Sequence, residues 1–166
     1  LGHLRQTQRL HLLGVGARAG ADGIRLTGRT PTQLGQTLEL EWQGQPRKVN
    51  LPLIGAYQAA NALVSAGLVI ASGGAAARTL DALARLQPVR GRLERAAISR
   101  GGAPVYVDYA HTPDALEAAI AALRPHCAGR LIVVFGAGGD RDSGKRAPMG
   151  RVVAEQADLG IVTDDN

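Results

Sequence analysis

Strand-like and helix-like segments alternate through the second half of the chain, and this alternation most restricts the possible folds. Thr112 offers a capping oxygen to the first helix, and Pro113 suits its first position. Successive strands joined through helices form a parallel sheet with right-handed crossovers. The pattern therefore predicts α/β architecture, an incomplete Rossmann-like βαβαβ domain. In chain order its segments are strand Pro104–Val107, helix Pro113–Leu123, strand Arg130–Phe135, helix 146–157 and strand Leu159–Val162.

The sequence of the first half of the chain predicts an antiparallel meander followed by two helices. An Ala-rich segment from Gly55 to Ala71 has apolar residues at helical spacing and stops at a Ser-Gly-Gly sequence. A second helix is expected over residues 75–86, before Pro88. Residues 87–102 are rich in Arg, Gly and Pro, so we place a domain boundary there. The predicted strands are Ile24–Thr27, Thr37–Trp42 and Lys48–Leu53.

The composition restricts the class of protein. Aromatic residues make up only 3% of the chain, so an aliphatic core of parallel strands and Ala-rich helices is expected. The net charge is +5, but the basic residues are scattered singly and too few aromatics are present to stack on bases. We therefore expect no nucleic-acid partner, and interpret the charge partly as a site for anionic substrates.

The sequence also predicts the cellular compartment of the protein and the nature of the two chain ends. Cys127 is the single cysteine, which excludes an intrachain disulfide framework and favours a reducing, cytoplasmic location. No apolar run approaches the ~20 residues that span a bilayer, so no membrane association is expected. The chain begins at Leu1 rather than Met and stops at Asn166 after an apolar run. We expect both ends to be cuts inside a longer polypeptide.

Polar clusters follow three of the predicted strands. Residues 108–111 follow the first, Gly136–Asp142 the second and Thr163–Asn166 the third. In open α/β sheets, ligands bind beyond the carboxyl ends of the strands. One such cluster would be ordinary turn chemistry, but three at the same edge favour a binding site.

The loop over residues 139–146 is close to the phosphate-binding pattern GxxxxGK[ST], but it departs from that pattern. Arg146 occupies the position of the Mg²⁺-binding hydroxyl, and Asp140 and Asp142 lie inside the loop, so we reject an ATP P-loop. No GxGxxG sequence opens a helix after a strand either. The loop instead offers Arg141, Lys145 and Arg146 to carboxylates and phosphates, unless it is merely a solvated charged loop.

Four sequence runs follow one another in a recognisable order: Gly91–Glu94, Val107–Leu116, Phe135–Arg146 and Val162–Asn166. On these runs, the chain from about Ile54 onward resembles the Mur ligases, in the form that adds the third residue of the peptidoglycan stem peptide. Ligases for the other stem-peptide positions resemble the first two motifs but differ in the exact residues of the second and third. The resemblance implies that residues 1–90 end a central ATPase domain of antiparallel strands plus helices, and that residues 91–166 begin the C-terminal Rossmann-like domain.

The resemblance also implies roles for particular residues. Asn61 is similar to an Asn that contacts the nucleotide, although Gln58 stands where the family often has another Asn. Arg92 resembles the linker Arg that reaches the ATP phosphate, with Lys145 as a second catalytic cation. The other implied contacts are Asp108 with the ribose, and Tyr109 and His111 flanking the nucleotide. Arg141 resembles a residue that contacts the incoming amino acid or the muramoyl peptide, and Asp165 and Asn166 resemble residues that contact the incoming amino acid.

The implied reaction uses ATP and Mg²⁺ to join UDP-MurNAc-L-Ala-D-Glu to a diamino acid through an acyl phosphate. By the same resemblance, the P-loop and the Mg²⁺ ligands lie upstream of Leu1, so this chain alone is expected to be inactive. The motif that would choose among diaminopimelate, lysine and ornithine continues past Asn166, so that choice stays open.

Other functions remain possible from the residues. The chain could belong to another Mur ligase, to half of a dinucleotide-binding oxidoreductase, or to a non-catalytic module that holds an anionic metabolite. Binding of NAD(P) rather than ATP would identify the oxidoreductase. Ligand binding without turnover in the full-length protein would identify the binding module.

Overall fold

The computed structural model describes residues 12–138 and 143–164, and the chain divides into two compact units. No helix among the described residues is long and apolar enough to cross a membrane. Each unit takes residues from separate stretches of the chain. Among the described residues, the first unit comprises 12–30, Gln36–Pro52 and Tyr57–Leu86, and the second comprises Pro31–Gly35, Leu53–Ala56, 87–138 and 143–164.

A four-stranded sheet in the order β1-β2-β3-β4 starts the described chain. β1 is parallel to β2, and β3 is antiparallel to β4 with Leu38 opposite Val49. Arg25 pairs with Glu41 and Thr27 donates to the Glu39 carbonyl, so β2 and β3 are antiparallel as well. The predicted meander is confirmed for β2, β3 and β4. The strands of the sheet are β1 (Val15–Gly16), β2 (Ile24–Thr32), β3 (Gly35–Trp42) and β4 (Gln45–Leu51).

Two helices complete the first unit. They are α1 (Ala56–Ala71) and α2 (Ala76–Ala82), and a 3₁₀ turn, Leu83–Arg85, follows α2. The expected glycine stop follows α1: Gly73 has a φ of 99° and the Gly74 N–H donates to the Val69 carbonyl at 2.8 Å. The core of this unit is aliphatic, as the composition predicts. Its most buried side chains are Ile24, Leu38, Leu40, Leu51, Leu63 and Leu80.

The second unit contains two strand pairs and two long helices. β5 and β6 pair antiparallel, and β7 and β8 pair parallel. The predicted strand–helix–strand crossover is therefore confirmed for β7, α4 and β8. The elements are β5 (Glu94–Ile98), β6 (Pro104–Val107), α3 (Pro113–Leu123), β7 (Ile132–Phe135), α4 (Arg146–Gln156) and β8 (Leu159–Val162), with 3₁₀ turns at Arg124–His126 and Ser143–Lys145.

The pairing of β6 corrects one expectation. The sequence predicts that β6 joins a wholly parallel sheet, whereas its hydrogen-bonded partner is the antiparallel β5. Within residues 12–138 and 143–164, these four strands form two separate two-stranded sheets, β5 with β6 and β7 with β8. β5 went unpredicted because four of its five residues are exposed, so its sequence lacks the alternation of a half-buried strand.

The helices α3 and α4 pack on the strands through one buried cluster. Leu116, Ile120, Met149 and Val153 form this cluster. We name it the helix core. The Thr112 side chain accepts a hydrogen bond from the Ala115 N–H, so the predicted cap of α3 is confirmed. Burying a side chain of this size stabilises a fold by ~1.5–3 kcal/mol, so the cluster fixes α3 and α4 firmly.

Side chains of the second unit hold its two short outlying segments. The His126 Nδ1 lies 2.6 Å from the Thr32 carbonyl, and its Nε2 lies 3.4 Å from the Gly55 N–H. A carbonyl only accepts and an N–H only donates, so the neutral imidazole with its proton on Nδ1 satisfies both. The Tyr106 hydroxyl donates to the Gln33 carbonyl, and burial raises the pKa of Tyr106 although Arg95 opposes that shift.

Protonation of Asp158 in acid is expected to lower the stability of the second unit. The Leu131 N–H donates to its carboxylate at 2.6 Å and Arg124 at 2.7 Å, and these bonds lower the pKa of Asp158. A lowered folded-state pKa stabilises the fold above the unfolded value near ~4, and this stabilisation is lost as pH falls below it. Urea unfolding of Asp158→Asn, followed by circular dichroism, should therefore show a weaker dependence on pH between pH ~5 and ~3 than wild type.

Glu155→Gln is the matched control, since it also removes one exposed acid from this unit. An equal flattening in both variants would assign the acid sensitivity to general charge and would refute a specific role for Asp158.

Candidate functional site

A strained turn connects residue 88 to the start of β5. We name it the linker turn, Val89–Glu94. Two of its residues are left-handed, Gly91 with a φ of 65° and Leu93 with a φ of 46°. Glycine adopts this region freely, whereas a leucine there costs on the order of 1–3 kcal/mol. Leu93 is only 2% exposed and packs with Ile54 and Ala119, and this burial offsets the strain.

Four hydrogen bonds fix the linker turn. The Arg92 N–H donates to the Val89 carbonyl at 3.0 Å, and the Gly91 N–H donates to the Glu94 carboxylate at 2.9 Å. The other two bonds reach the segment after β6: the Leu93 N–H donates to Asp108 Oδ2 at 2.9 Å, and the Gly91 carbonyl accepts from the Tyr109 N–H at 2.8 Å. The backbone is therefore held on both sides of Arg92.

The side chain of Arg92 lies against an exposed aromatic pair. Its guanidinium carbon lies 5.4 Å from the Tyr109 ring centroid, within cation–π range. The Tyr109 and His111 rings lie 5.3 Å apart at 58°. Tyr109 is 68% exposed, so its ring can still contact a planar ligand. We name Arg92, Asp108, Tyr109 and His111 the linker cluster.

Asp108 has a structural bond in addition to its predicted role with ribose. One of its carboxylate oxygens accepts from the Leu93 N–H. An ionised carboxylate offers about four acceptor positions on two oxygens, so this bond is compatible with accepting from ribose hydroxyls as well. Contact between Asp108 and a nucleotide remains a prediction.

A second polar group lies at the carboxyl ends of β7 and β8. The Thr163 N–H donates to the Phe135 carbonyl at 3.0 Å, and Arg146 Nε donates to the Ala137 carbonyl at 3.0 Å. Lys145 directly precedes α4 and Arg146 begins it, and the first turn of α4 contains no acidic residue. Two cations there oppose the helix dipole, an arrangement that a bound anion would relieve. We name residues 136–138, Lys145, Arg146 and Thr163 the strand-end cluster.

Both clusters rest on the same helix core. Ala110, between Tyr109 and His111, packs against that core, and so does Ala137 in the loop after β7. Small apolar residues at these two positions keep the backbone of each cluster close to α3 and α4. The polar side chains of each cluster are therefore presented from one rigid support.

Some of the predicted site residues lie among the residues that the structure describes, and others do not. Arg92, Asp108, Tyr109 and His111 come together as the linker cluster, and Lys145 lies in the strand-end cluster. Asn61 lies in α1 of the first unit and is exposed, so its role stays a prediction. Arg141, Asp165 and Asn166 lie outside the described residues, as do Asp140 and Asp142.

Sequence reasoning missed Glu94. The residue was recognised only as part of a motif, although a carboxylate three residues after Gly91 can accept that glycine's N–H. The left-handed Leu93 gave no signal, because its burial depends on residues distant in the chain. Among the described residues, no group of three or more His, Cys, Asp or Glu could hold a metal ion.

Comparisons with known proteins agree on one family. Residues 91–166 match the family model described as Mur ligase, glutamate ligase domain. The UDP-N-acetylmuramoyl-L-alanyl-D-glutamate–2,6-diaminopimelate ligase of Zymomonas mobilis subsp. mobilis is 58% identical over 161 residues, which cover 97% of this chain and 33% of that protein. The chain thus spans about a third of the curated relatives it matches.

Two solved structures are also similar to this chain. The structure of a ligase with that same name is 31% identical with a TM-score of 0.67, over 86% of this chain and 29% of the other. The Mycobacterium tuberculosis folylpolyglutamate synthase complexed with ADP is 27% identical with a TM-score of 0.62, over 85% of this chain and 31% of the other.

Proposed function

Because this chain belongs to the Mur ligase family, we propose that it is part of an ATP-dependent ligase of peptidoglycan precursor synthesis. The ligase joins a diamino acid to UDP-MurNAc-L-Ala-D-Glu, and the names of the relatives favour 2,6-diaminopimelate. We assign residues 1–90 to the end of the central ATP-binding domain and residues 91–166 to the first half of the C-terminal domain. The ligase works in the cytoplasm without nucleic-acid or membrane partners.

The linker cluster is the observation that carries this proposal. It combines a guanidinium for phosphate, an exposed ring for a flat heterocycle and a carboxylate for ribose hydroxyls. These are the three chemical parts of a nucleotide. A guanidinium stacked on an aromatic ring can still bind phosphate, because stacking uses its face and hydrogen bonds to phosphate use its edge.

The proposed reaction has two steps. ATP transfers its γ-phosphoryl group to the D-glutamyl carboxylate, which releases ADP and forms an acyl phosphate. The amine of the diamino acid then attacks the acyl carbon, and phosphate leaves as the amine loses its proton. Arg92 stabilises the charge of the transferring phosphoryl group, with Lys145 as a second cation.

The remaining roles concern binding. Asn61 and Asp108 hold the nucleoside, and Tyr109 and His111 flank it. Mg²⁺, when bound, neutralises charge on the ATP phosphates; none of its ligands is assigned within the described residues. The incoming amino acid contacts Arg141, Asp165 and Asn166. The cations at the start of α4 support an anion-binding role for this region.

The test is a ligase assay on the full-length protein that contains this chain. ADP release should depend on UDP-MurNAc-L-Ala-D-Glu together with a diamino acid, and diaminopimelate should outperform lysine and ornithine. Activity with another stem-peptide amino acid would identify a sister ligase. Binding of NAD(P) without ATP binding would refute the proposal in favour of an oxidoreductase.

Arg141→Ala in this full-length ligase is expected to weaken the binding of the incoming amino acid more than the binding of ATP. Loss of one charge-assisted hydrogen bond to a carboxylate should raise the KM for the amino acid ~10–100-fold, while the KM for ATP changes less than ~3-fold. Steady-state kinetics with each substrate varied provide the measurement. Arg151→Ala, an exposed arginine of α4, is the control. A raised KM for ATP with an unchanged KM for the amino acid would contradict the assignment.

A further inference from the structure

We propose that Glu94 is a positioning residue for Arg92. By accepting the Gly91 N–H, its carboxylate keeps the linker turn in the conformation that places the Arg92 guanidinium over Tyr109. The effect expected on catalysis rests on the proposed function, in which Arg92 meets phosphate charge.

The strain of the linker turn creates the need for such a residue. Gly91 and Leu93, the residues before and after Arg92, both have positive φ. A turn of this kind relaxes to ordinary backbone unless surrounding contacts hold it. The Glu94 carboxylate supplies one of those contacts from within the turn, at 2.9 Å from the Gly91 nitrogen.

The pairing of β5 with β6 fixes the backbone of Glu94. Glu94 is the first residue of β5 and pairs with Val107 in the last position of β6. Its backbone is thus fixed by the ladder, while its side chain reaches back to Gly91. The segment that follows Val107 carries Asp108 and Tyr109, which bond the other side of the same turn. The guanidinium and its aromatic partner are therefore held by one hydrogen-bonded unit.

The chemistry of the Glu94 contact differs from a generic surface bond. A carboxylate accepting a backbone N–H is a charge-assisted bond, roughly twice as strong as a neutral one. Glu94 is also half-buried, so solvent screens the bond incompletely. Since displacement of a catalytic group by ~1 Å can cost ~10²-fold in rate, loosening this turn should affect turnover.

The first arm of the test is kinetic, in the full-length ligase. Glu94→Ala should lower kcat ~10-fold or more, and Glu94→Gln, which keeps an acceptor oxygen, should stay within ~3-fold of wild type. Adding Glu94→Ala to Arg92→Ala should have little further effect, because a residue that acts through Arg92 loses its role once Arg92 is absent. A purely structural role would instead lower activity by the same factor in both backgrounds.

The second arm does not depend on ligase activity. In the full-length protein with isotope-labelled arginine, NMR should show the Arg92 side-chain protons shifted upfield by the Tyr109 ring. Tyr109→Leu should abolish that shift, Glu94→Ala should reduce it, and Glu94→Gln should retain it. Glu155→Ala, which removes an exposed acid from α4, should leave it unchanged.

The outcomes separate the two proposals. If the ring shift depends on Glu94 but the full-length protein has no ligase activity, the proposed function fails and the positioning of Arg92 stands. If ligase activity is present while the ring shift and kcat are both insensitive to Glu94→Ala, the positioning role is overturned. Additive losses of kcat in the double variant would also overturn it.

Discussion

Arg92→Ala in the full-length ligase is expected to lower kcat by ~10²–10³, with a much smaller change in the KM for ATP. In the proposed reaction the guanidinium meets charge that grows as the phosphoryl group transfers, so its loss should remove an interaction that is stronger in the transition state than in the bound substrate. Its preorganised position over Tyr109 makes the loss larger than for a mobile surface cation. Steady-state kinetics with ATP varied at saturating dipeptide and amino acid would measure both kcat and the KM for ATP.

Two further variants make the Arg92 experiment specific. Arg92→Lys keeps the charge but loses the two-pronged geometry, so an intermediate loss of kcat is expected. Arg90→Ala removes an exposed arginine from the same linker turn and should leave kcat near wild type. An unchanged kcat in a well-folded Arg92→Ala protein would limit Arg92 to a surface role.

Gly23→Ala is expected to destabilise the first unit by ~3 kcal/mol, in the upper part of the range for overpacking. A Cβ at Gly23 would overlap the Gly14 carbonyl oxygen and lie 2.9 Å from its carbonyl carbon. That carbonyl accepts the Ile24 N–H at 2.9 Å, so backbone, rather than a flexible side chain, would have to move. Trp42, the single tryptophan, lies in β3 of this unit, and its fluorescence during urea unfolding provides the measurement.

Gly20→Ala is the matched control for Gly23. A Cβ at Gly20 would meet nothing within 4 Å, so unfolding should change little. Equal destabilisation by both substitutions would mean that backbone freedom, rather than the contact with Gly14, explains the glycine at position 23.

Local patterns in the sequence were sufficient for most of the regular elements. The cap at Thr112 and the glycine stop after α1 depend on residues close together in the chain, and both are confirmed. The β7–α4–β8 crossover, predicted from the alternation of strands and helices, is confirmed as well. The ordered motifs also identified the family, which the comparisons confirm. The roles of all the predicted site residues remain predictions. The linker cluster brings four of them together, whereas no contact of the Asn61, Arg141, Asp165 or Asn166 side chains is described.

The sequence by itself determined the family, the order of the helices and most of the strands, and the residue types available for binding a nucleotide. Only the tertiary structure decided how the linker turn is held. β5 is recognisable only through its pairing with β6, and the bond from the Leu93 N–H to Asp108 spans fifteen residues. The left-handed Leu93 likewise depends on burial against Ile54 and Ala119. Such contacts have no local sequence pattern, since they form only when distant segments pack together, and they fix where Arg92 points.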